Sequence, residues 1–152
     1  MFKLPRVPTH LQGTMENLDT KASTGLSVSL WVVQSLLCLL FAGTGVWKLL
    51  TPVPQLAAQF PWMGQVPVAF MRATGVIDLL GGIGLLLPAI TRIKPGLTAL
   101  AALGCAVLQA CAIVFHVARG EAVSTPFNFL LLALSIFVFW GRRSKALIQP
   151  RV

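Results

Sequence analysis

Apolar residues along the chain fall into four long blocks, residues 26–50, 68–90, 95–118 and 126–140, separated by short stretches rich in proline, glycine and charge. At about 1.5 Å of rise per helical residue, about 20 residues cross a hydrocarbon core of about 30 Å. The first three blocks meet that length; the fourth, at 15 residues, is short by a turn unless Gly141 and the residues after it continue the helix. Strands of a transmembrane barrel would alternate at period two over about ten residues, and no block does so. Pro95 after Lys94 suits a first helical position, and Pro126 behind Ser124 and Thr125 suits a capped helix start. The pattern predicts an all-α fold, a four-transmembrane-helix bundle over residues 26–143. A polar N-terminal tail (1–25) precedes it, and a basic C-terminal tail (144–152) comes after it. The segment 51–67, TPVPQLAAQFPWMGQVP, reads as an interfacial loop: a connector with aromatic anchors, or one carrying a short lying helix around Gln55 to Phe60. The first apolar block is too long for a secretory signal, and no small-residue cleavage site closes it. Met15 offers an alternative start to Met1.

Composition agrees with the bilayer as solvent. Of 152 residues, 56% are apolar and 11% charged, against about 25% charged in soluble domains, and the mean hydropathy is +0.82. Four spans leave little chain for a soluble catalytic domain. The formal charge of +8, twelve Lys and Arg against four acids, would suggest nucleic acid in a soluble protein. Here the basic residues flank apolar blocks as juxtamembrane charges do, so no nucleic-acid partner is expected. The tail, the 91–94 turn and the C-terminus hold nine of the twelve, which places both termini in the cytoplasm, expected to be that of a bacterial cell with the chain in its inner membrane. The loops 51–67 and 119–125 then face outward.

Polar groups inside hydrocarbon are costly and mark function by default. Six positions qualify: Lys48, Arg72, Asp78, Gln109, His116 and Asn128. All fall in the outer half or near the midplane, and the inner half is expected to hold almost none. One depth shared by four helices describes an outward-opening polar pocket, with Asp78 and His116 as proton-handling residues and Lys48, Arg72, Gln109 and Asn128 as ligand contacts. Gln109 and His116, seven residues apart, share a helix face, whereas Arg72 points about 120° away from Asp78. Gly75 and Gly82 flank Asp78 and are expected to leave room beside its carboxylate. The bland alternatives are a structural ion pair at Asp78, a backbone-bonded histidine, snorkelling bases at Lys48, Arg72 and Arg119, and a helix cap at Asn128. Small residues at Thr98, Ala102, Ala106 and Ala110, and glycines in the second block, favour close helix contact within one chain or between two.

Several chemistries are argued against. Cys38, Cys105 and Cys111 form no CxxC, and Cys105 and Cys111 sit about 9 Å apart along one helix, too far for a disulfide. No CxxCH is present and His10 lies in the tail, so no haem signature is seen. No residue cluster has metal-ligand spacing, and no glycine-rich loop comes after a strand.

The stretches FAGTGVWK (Phe41–Lys48), GVIDLLGGIGLLLP (Gly75–Pro88), FHVARGE (Phe115–Glu121) and PFN (Pro126–Asn128) resemble the DoxX-like family of small four-helix integral membrane proteins over about residues 26–143. The family's acidic position is often glutamate and here is Asp78. The family takes its name from a membrane subunit linked to oxidation of sulfur compounds with electrons passed to quinone. The resemblance therefore implies a redox association, with a quinone as candidate ligand and a redox protein as candidate partner. Two functions are expected: a pocket for a small hydrophobic or quinone-like ligand in a redox system, or a noncatalytic membrane scaffold or assembly partner. Transport of a small solute fits less well, because four helices enclose little volume unless they form a homo-oligomer.

Overall fold

The computed structural model describes residues 9–151, with side chains from Thr24 onward. Its elements are α1 (Thr9–Leu50), α2 (Val53–Gln59), a 3-10 turn (Pro61–Gly64), α3 (Val68–Thr91), α4 (Gly96–Ala118), a second 3-10 turn (Ala122–Ser124), α5 (Pro126–Trp140) and a π-helical turn (Gly141–Lys145). The fold is all-α, with no strand among the described residues. Among the described residues three stretches are long and apolar enough to cross a membrane: Thr24–Leu50, Val68–Thr91 and Gly96–Ala118. α5 has only 15 residues, but the helical backbone runs on through Lys145, the continuation past Gly141 that its length called for.

Two boundaries depart from the pattern of blocks. α1 begins at Thr9 rather than near residue 26, so most of the expected tail is continuous with the first helix. The segment 9–25 contains no proline, and an isolated Gly25 costs a helix only about 1 kcal/mol, too little to end one. Residues 1–8, with Lys3 and Arg6, lie outside the described residues, as do the side chains of His10 and Lys21. At α5, Pro126 takes a first-turn position, but neither Ser124 nor Thr125 caps the helix with its side chain; the Thr125 hydroxyl donates back to the Ala122 carbonyl at 2.7 Å.

α1 packs along α3, α3 against α4 and α4 against α5, and α5 returns to α1 to close the bundle. Each helix buries one stripe at spacings of three and four: Leu30, Gln34, Leu37, Phe41 and Gly45 on α1; Met71, Gly75, Asp78, Gly82, Leu85 and Ala89 on α3. The central core joins Leu37, Phe41, Leu85, Ala102, Cys105, Leu131 and Val138. Many other large apolar side chains, among them Leu39, Leu80, Leu100 and Val114, are exposed, as helices solvated by lipid require.

The glycines of α3 set the spacing of the bundle. A Cβ on Gly82 would lie 2.6 Å from the Ala42 nitrogen, and one on Gly45 would lie 2.6 Å from the Leu79 nitrogen, so the two backbones touch. The room expected beside Asp78 at Gly75 and Gly82 is thus filled by α1. On α4, Thr98, Ala102 and Ala106 are buried within the chain while Ala110 faces out.

Candidate functional site

The segment 51–67 is more than a connector. α2 and the 3-10 turn after it fold back over one end of the bundle, where Leu56, Met63 and Met71 form a small core of their own. Four prolines break this stretch into short pieces, and the aromatic residues between them turn inward: Trp47 meets Phe60 edge-on at 5.9 Å, and Trp62 meets both Phe115 and His116 at 5.6 Å.

Beneath this roof lies a cavity of about 550 Å³. It sits between the Lys48 half of α1, through Leu40, Thr44 and Trp47, and the first turns of α5, through Phe127 and Leu131. Phe41 and Leu131 of its lining belong to the central core, which forms the floor. Five of the six expected polar residues line it: Lys48, Asp78, Gln109, His116 and Asn128. The sixth, Arg72, does not. Its guanidinium donates to the Lys48 carbonyl and, at 3.0 Å, to the Thr51 carbonyl, satisfying acceptors that the end of α1 leaves free.

The Lys48 ammonium donates to Asp78 Oδ2 at 2.7 Å, with side-chain exposures of 15% and 7%, so two charges that could not stand alone at this depth neutralise each other. The Trp62 ring lies 5.9 Å from the ammonium. Gln109 Oε1 is buried without a hydrogen-bond partner, an acceptor that a buried site rarely leaves empty.

His116 is buried at the end of α4, and its Nδ1 lies 2.8 Å from Glu121 Oε2. Gly120, at φ 75°, reverses the chain here, and the Glu121 amide donates to the His116 carbonyl at 2.8 Å. Hydrogen bonds from His116 and Arg119 hold the Glu121 carboxyl below its ordinary range, so it is an anion that only accepts, and Nδ1 carries the proton. That leaves Nε2 as the ring nitrogen available to the cavity, in the carboxylate–histidine arrangement that fixes the tautomer and orientation of an imidazole. Arg119 completes the cluster: its Nε donates to Glu121 Oε1 at 3.0 Å, and its Nη2 donates to Gln65 Oε1, tying this loop to the roof.

Sequence reasoning missed Glu121 as a site residue, although only four acids occur in the chain and one lies five positions after the buried histidine. It also missed the roof aromatics, whose folding back depends on contacts distant in sequence. The expectation of an almost apolar inner half is corrected. Gln34, Thr98, Ser135 and Arg142 are all buried in the half away from the cavity. Gln34 sits inside an apolar block whose average hydropathy masks it, and Arg142 comes after the last block, where a base reads as a flank.

No curated protein and no solved structure matches the chain. The DoxX-like family model matches residues 32–138, from the buried stripe of α1 to the last turn of α5 and including every residue that lines the cavity. The chain belongs to the DoxX-like family.

Proposed function

We propose that the chain is a four-span DoxX-like bundle whose cavity takes a small hydrophobic, quinone-like molecule as part of a membrane redox system. The observation that carries the reading is one cavity, within the usual 300–1,000 Å³ of ligand sites, with aromatic walls and a few convergent polar groups. A planar ring fits between Trp62, Phe60 and Phe127, while Gln109 and His116 offer acceptors to a ligand hydroxyl. His116 Nε2 takes the proton of that hydroxyl, and Glu121 steadies the imidazolium that results. Asp78, held by Lys48, is the second proton-handling group, and Asn128 is a further polar contact at the edge. In this reading α5 and its π-helical turn together form the fourth span, and the basic flanks favour both termini on the cytoplasmic side of a bacterial inner membrane.

The rival reading is a noncatalytic scaffold, favoured by the Lys48–Asp78 pair, which staples α1 to α3. Purification in mild detergent, solvent extraction and mass spectrometry separate the two, together with titration with decylubiquinol read as quenching of tryptophan fluorescence. The pocket reading expects an extracted small molecule or saturable quenching, weakened about tenfold or more in His116→Ala while its helical circular dichroism is retained. An empty extract with no saturable quenching would leave the scaffold.

A further inference from the structure

The end of the bundle opposite the cavity carries a cation that has no counter-charge among the described residues. Arg142, in the π-helical turn after α5, is 6% exposed. Its Nε donates to Gln34 Oε1 at 2.9 Å, and the Gln34 amide nitrogen donates to the Leu85 carbonyl at 2.5 Å. The guanidinium lies over Trp31 at 4.8 Å, and Gly141 is small because the Leu30 side chain fills the space of its Cβ. Arg142 Nη2 is buried and has no acceptor.

Among the described residues no side-chain carboxylate answers this charge. Asp78 is held by Lys48, and Glu121 by His116 and Arg119, all at the cavity end. Glu16 and Asp19 precede Gln34 on α1 by at least 15 residues, about 22 Å of helix. Further bases gather instead. The Arg151 amide donates to the Arg92 carbonyl at 3.2 Å, drawing the C-terminal segment across to the α3–α4 turn, where Arg92 and Lys94 are exposed. Arg143 and Lys145 lie over the rings of Phe139 and Trp140, at 5.7 Å and 5.9 Å, the posture of side chains reaching along apolar surface toward a membrane interface.

We propose that this end is a binding site for an anionic phosphate group, supplied by the headgroup of an anionic membrane lipid, with the Arg142 fork as its centre and Lys94, Arg143 and Lys145 as its rim. Nη1 reaches the Ala146 carbonyl only at 3.4 Å and Nη2 has no acceptor, and a guanidinium with donors to spare matches phosphate oxygens in a way that an ammonium does not. The site lies just past the last apolar residue of α5, at the level where headgroups sit.

The test is thermal unfolding of the full chain in mild detergent, titrated separately with dihexanoyl phosphatidylglycerol, dihexanoyl phosphatidylcholine and inorganic phosphate. Phosphatidylglycerol is expected to raise the melting temperature saturably and phosphatidylcholine to leave it unchanged. An equal rise with inorganic phosphate would keep the anion site and assign it to the free ion. Arg142→Gln is expected to raise the phosphatidylglycerol midpoint about tenfold or more. Lys145→Gln, which removes the same charge from the rim, is expected to raise it less than threefold. Should Arg142→Gln fail to fold, Arg142→Lys keeps the charge, loses the fork and is expected to weaken binding about tenfold. Native mass spectrometry of the unaltered chain supplies a measurement without variants, in which phosphatidylglycerol outlasts phosphatidylcholine as collision energy rises. Equal response to the two lipids, equal retention of them, or equal losses in Arg142→Gln and Lys145→Gln would overturn the proposal.

Discussion

Replacing Gly82 by alanine tests whether backbone contact between α1 and α3 sets the bundle. The added methyl would lie 2.6 Å from the Ala42 nitrogen, 2.9 Å from the Ala42 Cβ and 2.9 Å from the Cys38 carbonyl oxygen. Two of these are backbone atoms that no rotamer change can remove. Ordinary contact begins near 3.4 Å, so the helices must part by about 0.8 Å or shear past each other. Overpacking of this kind costs about 1–3 kcal/mol, and two backbones in contact leave it near the upper end. Alanine offsets part of the cost through its helix propensity, about 0.5–1 kcal/mol. Gly104→Ala is the matched control, because a Cβ there meets nothing within 4 Å and only the propensity gain remains. Unfolding monitored by circular dichroism in mild detergent should place Gly82→Ala about 1–2 kcal/mol below the parent chain and Gly104→Ala about 0.5–1 kcal/mol above it. Stabilities within about 0.5 kcal/mol of each other would refute backbone contact as the determinant of the α1–α3 spacing.

Asp78→Asn leaves the Lys48 charge buried without its anion and should cost about 3 kcal/mol or more, as breaking one side of a buried pair does. The double variant Lys48→Met, Asp78→Asn should regain most of that loss, and additive single-variant costs in a double-mutant cycle would dismiss the coupling. The Glu121 carboxyl is held below its ordinary value of 4.5 by its hydrogen bonds from His116 and Arg119, so the loop gains stability above that value and loses it as pH falls through the lowered one. Melting temperature measured from pH 6 down to about pH 3 should therefore drop more steeply in the parent chain than in Glu121→Gln; parallel curves would count against the cluster.

Much of the architecture was legible because hydrocarbon demands long apolar runs, and three such runs coincide with α1, α3 and α4. The blocks also bracketed α5, whose extension past Gly141 depended on backbone that hydropathy does not describe. Five of six intramembrane polar residues converge on one cavity because polar groups in lipid must find each other. What escaped was set by tertiary partners. Arg72 serves backbone carbonyls of α1 rather than the cavity, Gly75 and Gly82 admit a helix rather than a ligand, and Glu121 acquires meaning only once Gly120 turns the chain back onto His116. Gln34 and Arg142 are 108 positions apart, and no local pattern pairs them.

α1 meets the π-helical turn after α5 at Leu30 and Gly141, and α1 and α5 line the cavity with their other halves, where Thr44 and Phe127 are exposed. On the proposed pocket reading, an entrance between these two lipid-facing helices would open toward acyl chains rather than water. A ligand arriving by that route is drawn from the amount dissolved in the membrane, and each added methylene favours that phase by about 0.8 kcal/mol, close to a fourfold gain in partition. Affinity expressed against total ligand would then weaken in proportion to the lipid or detergent present, whereas affinity expressed as mole fraction in the apolar phase would stay constant. For the quinone-like ligand proposed above, tail length would govern delivery and the ring would govern fit.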